Sequence, residues 1–210
     1  MCGRFITIEG GEGCGKTTQA ARLAAHFESC GRETLLVREP GGTPLSEKIR
    51  PLLKDETLDP PCDRAELLLF LAARAQLVEK TILPALERGA WVVSDRFSDS
   101  TFAYQGRGRG LPMDFLEAAN SFACRGLKPD LTILLDAPPE TTEARLRRRE
   151  AAANGAADRI ESAGRDFHAR LRAGFLEMAA AEPGRFAVID ASGSPDEVWS
   201  AICTSIERLS

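Results

Sequence analysis

Gly10-Gly11-Glu12-Gly13-Cys14-Gly15-Lys16-Thr17 has the residue types and spacing that wrap a backbone around phosphate. The glycines let successive N–H groups turn inward, Lys16 can reach β- and γ-phosphates, and the Thr17 hydroxyl can hold Mg²⁺. A helix running on through Thr18 aims its positive end at the same anion. The stretch therefore predicts a nucleoside triphosphate site. Cys14 reads most simply as a small filler within the loop, although a thiol there could also be open to oxidation.

A triphosphate site of this kind needs a metal partner. Trp91-Val92-Val93-Ser94 is an apolar run closed by Asp95 and Arg96, and a carboxylate at such a strand end can face Thr17 and share the Mg²⁺. Asp95 could instead cap a helix or pair with Arg96. Asp136, which closes a second apolar run before Pro138-Pro139, is the rival ligand.

The arginines point to a reaction class. Arg145, Arg147, Arg148 and Arg149 precede a small-residue segment, and Arg159 follows it. Arg145 and Arg149 are four apart and share a helix face. Arg147 and Arg148 read as a solvated surface. Arg149 and Arg159 fit either that description or a lid that closes over a transferred phosphoryl group. Two unit charges about 4 Å apart cost about 4 kcal/mol at an effective dielectric of 20. A triphosphate meeting a second phosphate therefore calls for Lys16, Mg²⁺ and two or three arginines, and an ionised phosphate acceptor needs no general base. A guanine-reading NKxD is absent. Asp190-Ala191-Ser192-Gly193 formally fits DxxG but comes too near the C-terminus for a switch region to follow. Phe70 and Arg74, one helical turn apart, could stack a base and bond its carbonyl edge. Taken alone, a phenylalanine such as Phe70 is more often core.

These residues must be held by a sheet. Phe5-Ile6-Thr7-Ile8, Thr34-Leu35-Leu36-Val37, Trp91 to Ser94, Leu131 to Leu135 and Phe186-Ala187-Val188-Ile189 read as five strands. Helical periodicity runs through 19–28, where Leu23 and Phe27 are four apart, and through 63–88, 112–125, 139–152, 162–181 and 194–208. Such alternation predicts an α/β fold, a five-stranded parallel sheet with helices on both faces, in one domain over 1–210. In that architecture ligands sit beyond the carboxyl ends of strands, where Gly10, Glu39, Asp95 and Asp136 all fall. Glu39-Pro40-Gly41-Gly42-Thr43 marks a turn there.

Composition narrows the partners. With 27 basic and 31 acidic residues the net charge is −4, which argues against a nucleic-acid polymer. Six scattered cysteines without a CxxC pair, and two histidines without ligand spacing, fit reduced thiols rather than disulfides or zinc. No apolar run approaches the roughly 20 residues of a membrane span and no signal-peptide core is evident, so a cytoplasmic protein with no membrane partner is expected.

Taken in order, the loop through Thr18, Arg38-Glu39-Pro40-Gly41-Gly42-Thr43, Phe70 with Ala72-Ala73-Arg74, Asp95-Arg96-Phe97, Tyr104-Gln105-Gly106 with Gly108-Arg109-Gly110, and Asp158-Arg159-Ile160-Glu161 resemble bacterial thymidylate kinase over nearly the whole chain. The resemblance implies a P-loop fold of the nucleoside monophosphate kinase type, ATP and dTMP as substrates, Mg²⁺, and a homodimer. It implies that Phe70 stacks on thymine, Arg74 bonds its O4, Thr101 and Gln105 face the base edge, and Tyr104 crowds the position of a ribose 2′-hydroxyl. Glu12 would hold the 3′-hydroxyl, Arg50 and Arg96 the acceptor phosphate, and Glu39 would join that substrate-binding set. Ala191 and Ser192 would border adenine. Gly13 stands where one branch of the family has an arginine, which implies the branch whose catalytic arginine lies in a mobile lid, about 145–161, with Arg149 and Arg159 joining Lys16 and Arg96. Thr101, Arg107 and an Ala-rich lid segment depart from the family's usual pattern.

Overall fold

Strand β1 (Arg4–Gly10) enters the loop, and helix α1 (Lys16–Ser29) leaves it. There follow β2 (Thr34–Arg38), α2 (Pro44–Lys54), α3 (Asp63–Leu77), a wide π-type turn over Val78–Ile82, and α4 (Leu83–Glu87). Next come β3 (Trp91–Asp95), α5 (Ser98–Thr101), a second π segment (Phe102–Gly108) and α6 (Met113–Cys124). The chain continues through β4 (Leu131–Asp136), α7 (Pro139–Ala153), α8 (Arg165–Ala181), β5 (Phe186–Asp190) and α9 (Pro195–Ile206). The structure, a computed structural model, describes residues 3–55, 59–153 and 164–209.

All five strands are parallel, in the order β2-β3-β1-β4-β5. Both faces are covered, which is why the strands read as nearly continuous apolar runs. The two-residue period of β1 sends Ile6 and Ile8 to the face covered by α1 and α9, where they meet Leu23, Phe27, Ile202 and Ile206. Phe5 goes to the opposite face with Leu77, Val78, Ile82 and Phe97. Thr7 and Glu9 share that second face, and both are fully buried.

The five expected strands are present to within one or two residues at their ends. Two helical segments escaped the sequence reading. Helix α2 begins where Thr43 Oγ1 accepts from Ser46 N, with Pro44 in its first turn, and buries Ile49 and Leu53 against Ala73. Pro51 inside it weakens the sequence signal. The stretch 98–108 is rich in Ser, Thr and Gly, yet it is helical because Ala103 and Tyr104 pack onto Phe167, Leu171 and Phe175 of α8. The expected helix 63–88 is interrupted at 78–82. Pro84 has no N–H and its ring crowds the carbonyl four residues back, which accounts for the widened turn.

Candidate active site

The loop between β1 and α1 is shaped by backbone that side chains resist. Gly10, Gly13 and Gly15 all have positive φ, and a Cβ on Gly10 would lie 2.4 Å from the Leu135 carbonyl oxygen. Gly15 caps α1 without a side-chain bond, so no side chain competes for the first N–H groups of the helix. Lys16 is buried and its Nζ donates to Gly11 O at 2.6 Å, across the loop. Burial and then the Arg96 charge lower its ammonium below the usual value, with Glu12 partly opposing.

Strand β3 delivers two residues to the same place. Thr17 Oγ1 donates to Asp95 Oδ2 at 2.6 Å. Asp136, the rival, is engaged by Arg172 through two bonds of 2.6 and 2.7 Å. Nor does Asp95 pair with Arg96, whose ion pair is with Glu12. Two oxygens at the loop mouth fit a hard cation, and among the described residues no cluster of three or more His, Cys, Asp or Glu could hold a metal alone. A Mg²⁺ in this position would complete its shell with phosphate and water.

Arg96 is a non-glycine residue in left-handed backbone, φ 74°. Its N–H donates to Ile8 O and its carbonyl accepts the Ser94 hydroxyl, which hold the turn. The guanidinium reaches Gly10 O and Ser100 Oγ, pairs with Glu12, and lies 4.9 Å from the Tyr104 ring centroid. Tyr104 donates its hydroxyl to Glu12 at 3.0 Å. Burial opposes ionisation of Glu12, but Arg96 and then Lys16 override it and hold the carboxyl down at about 2.

Across a cleft of about 660 Å³ stands the other wall, with Arg50, Phe70, Arg74, Thr101, Tyr104 and Gln105. Phe70 is half-buried, one side against α2 and α8 and the other on the cleft. Arg50 donates to Pro40 O at 2.7 Å. Arg74 is fully buried and each of its five N–H groups has a protein acceptor. Nε and Nη2 bond Glu39, Nη1 bonds Thr101 Oγ1 and Asn120 Oδ1 at 2.6 Å each, and Nη2 also bonds Phe97 O. A bond from Arg74 to a base carbonyl thus requires one of these to be exchanged or shared. Burial raises the Glu39 carboxyl, with Arg74 pulling against it.

The cleft gathers Glu12, Gly13, Gly15, Lys16, Thr17, Thr18, Glu39, Asp95 and Arg96 with that wall, and Arg145 and Arg149 of α7 join from one side. Gly10, Gly11 and Cys14 lie behind the loop, where Cys14 is buried and its thiol is pushed up by burial. Ala191 and Ser192 do not line the cleft. Ala191 is wholly in the core, and Arg145 donates to the carbonyls of Ala191, Ser192 and Gly193 at 2.7 to 3.1 Å. Arg107 pairs with Glu177 on the outer surface. Arg159 lies outside the described residues, as do 154–161 of the expected lid.

Glu9 was missed because a single carboxylate at the end of Phe5-Ile6-Thr7-Ile8 carries no spacing signal. It accepts from Phe97 N at 2.8 Å, Ser100 N at 3.2 Å and Ser100 Oγ at 2.7 Å. Burial, then the nearby Asp99, raise its carboxyl from 4.5 to about 7, against Arg96 and the Ser100 and Phe97 bonds. Between those values the native state holds a proton that the unfolded chain has released, so stability falls as pH rises through the window. Glu9→Gln should therefore gain stability relative to the parent chain from about pH 5 to 8, by about 3 kcal/mol at most. Urea denaturation at several pH values reads this, and a difference that stays flat with pH counts against it.

The thymidylate kinase family model matches residues 8–202. The thymidylate kinase of Trichlorobacter lovleyi is 47% identical over 203 residues, covering 96% of both chains. That of Bifidobacterium longum subsp. infantis is 49% identical, covering 100% of this chain and 88% of the relative. The crystal structure of thymidylate kinase from Ehrlichia chaffeensis superposes with a TM-score of 0.78 at 32% identity, over the full length of both chains. Among the described residues no helix is long and apolar enough to cross a membrane.

Proposed function

The chain belongs to the thymidylate kinase family of phosphotransferases, and on that premise we propose that it transfers the γ-phosphoryl group of Mg-ATP to dTMP, giving dTDP and ADP. The observation that carries the reading is the single cleft in which the phosphate loop faces Phe70, Thr101, Tyr104 and Gln105, with Arg96 between them. The loop N–H groups and Lys16 hold the triphosphate. Phe70 stacks on the base, Thr101 and Gln105 meet its edge, and Tyr104 crowds the sugar where a ribose hydroxyl would lie. Arg74, braced by Glu39, backs the carbonyl edge. Glu12 receives the 3′-hydroxyl, and Arg50 and Arg96 grip the acceptor phosphate.

An oxygen of the dTMP phosphate attacks the γ-phosphorus in line. The bond to the β–γ bridging oxygen breaks, and its electron pair leaves with ADP. The attacking oxygen is already ionised, so the protein supplies charge and alignment rather than a base. Lys16, Arg96, Arg149 and Arg159 neutralise the oxygens that approach one another. Thr17 and Asp95 would hold Mg²⁺, which when bound adds positive charge to the phosphates. Residues 145–161 act as the lid of a single domain.

The test is a coupled ADP-release assay with a panel of monophosphates. dTMP should be preferred over dCMP, dGMP and AMP. dUMP, lacking one methyl, should follow dTMP by about 10- to 200-fold in kcat/KM. Equal use of all acceptors would leave a nucleotide kinase but remove this substrate.

The same reading includes a homodimer. Phe115 and Phe122, seven apart on α6, and Leu68 on the adjoining α3 are exposed, Phe122 to 88%. Apolar side chains grouped in this way favour a protein partner. Sedimentation equilibrium should return twice the chain mass, and Phe122→Glu should shift it towards one. A monomeric parent chain would rule the dimer out.

A further inference from the structure

Glu66 sits on the inner side of α3, fully buried, one turn before Phe70. Its Oε1 accepts from the Gln105 side-chain Nε2 at 2.9 Å, and its Oε2 from Arg109 Nη2 at 3.2 Å. Arg109 is itself held, 5.0 Å from the Phe167 ring centroid and 3.6 Å from Asp63. Gln105 is buried and lines the cleft beside Phe70 and Thr101. An amide carries donors on one atom and an acceptor on the other, whereas a carboxylate paired with arginine offers only acceptors. Gln105 therefore turns its NH₂ to Glu66 and its carbonyl oxygen away from it. Among the described residues no group donates to that oxygen.

We propose that Glu66 is a positioning residue for base selection. It locks Gln105 with its carbonyl towards the base edge, so that the cleft accepts a pyrimidine whose N3 carries hydrogen and rejects cytosine, whose N3 is itself an acceptor. The inference rests on the dTMP reading above and concerns how that site chooses its base. A reversed amide would present NH₂ to the base and favour cytosine. The difference between the two selectivities is thus the orientation of one buried amide, and Glu66 determines it. Facing acceptors at a buried position leave both groups unsatisfied, the kind of mismatch that discriminates more strongly than a missing methyl.

The experiment measures kcat/KM for dTMP and dCMP in the parent chain, Glu66→Gln, Gln105→Met and the double variant. A glutamine at 66 can pair with either end of the Gln105 amide. Glu66→Gln should therefore shrink the preference for dTMP over dCMP by about tenfold or more, while the KM for ATP is unchanged. Because Glu66 acts through Gln105, adding Glu66→Gln to Gln105→Met should alter the preference by less than about twofold. A parent chain with no preference for dTMP overturns the proposed function itself. A parent chain that prefers dTMP, with the preference intact in Glu66→Gln, overturns only the role of Glu66. Should Glu66→Gln fail to fold, Glu66→Asp draws the carboxylate back by one methylene and should lower the preference in the same direction. An unchanged value there is equally decisive against the proposal.

Discussion

Arg96→Met is expected to lower kcat by about 10³-fold, with a smaller rise in the KM for dTMP. Two losses combine. The first is a donor lying between the loop and the acceptor wall, within reach of Gly10 O and Ser100 Oγ. The second is the partner of Glu12, whose carboxyl is kept ionised at about 2 mainly by Arg96 against its burial. Without Arg96 that carboxylate has Lys16, then the more weakly acting Lys54 and the Tyr104 hydroxyl, to offset it. Glu12→Gln in the Arg96→Met background should then recover part of the lost rate, although Glu12→Gln alone should slow the enzyme. The backbone provides a separate readout. A left-handed residue with a Cβ costs roughly 1–2 kcal/mol more than glycine, so Arg96→Gly should unfold at higher denaturant than Arg96→Met while being as slow. Single-turnover quench-flow and urea titration measure the two effects. A kcat within tenfold of the parent would take Arg96 out of the transferring machinery.

Much of this site was legible from sequence where its chemistry is local. The loop, the carboxylate closing β3 and the pairing of Phe70 with Arg74 are each set by a few consecutive positions. What escaped depends on register. Pairing Ile8 with Asp95 and Gly10 with Leu135 puts Asp95 beside Thr17 and leaves Asp136 to Arg172. The sequence already ranks Asp95 above Asp136 through the turn at Pro138-Pro139, and the register supplies the physical cause. The Glu12–Arg96 pair spans 84 positions and Glu66–Gln105 spans 39, so neither forms a motif. Glu9 and Glu66 resemble the polar positions of a half-exposed element until the second layer covers them. The segments α2 and 98–108 failed for a different reason. Their own propensities are poor, through Pro51 in one and Gly106 and Gly108 in the other, and packing against α3 and α8 overrides them. The Arg74 hub was half legible. Its place one turn after Phe70 follows from the helix, but its guanidinium lies over the Phe97 ring, and the saturation of all five donors comes from Glu39, Phe97, Thr101 and Asn120, distant in sequence.

Arg149→Ala should lower kcat by about 10³-fold while the KM values for ATP and dTMP move only a few-fold. The cause lies at Gly13. A Cβ there would lie 2.8 Å from the Thr142 carbonyl oxygen and 3.2 Å from Leu146, and φ at +76° disfavours any side chain. Helix α7 therefore occupies the space into which a longer residue at this loop position would project. Its base is fixed by Arg145 on the three carbonyls 191–193. One turn further, on the same face, Arg149 reaches the cleft edge. The closeness of α7 to the loop thus excludes an arginine at 13 and supplies one at 149. A charge offered from a lid acts mostly on the crowded oxygens of the transition state, which is why kcat and not KM should respond. Gly13→Arg placed in the Arg149→Ala background tests the exclusion directly. It should fail to restore activity and should destabilise the fold, because the new side chain meets Thr142 backbone rather than a flexible tip. Recovery of the rate by Gly13→Arg would mean that α7 yields readily and that the loop, not the lid, can carry the arginine. A change confined to the KM for ATP would instead make Arg149 a binding device.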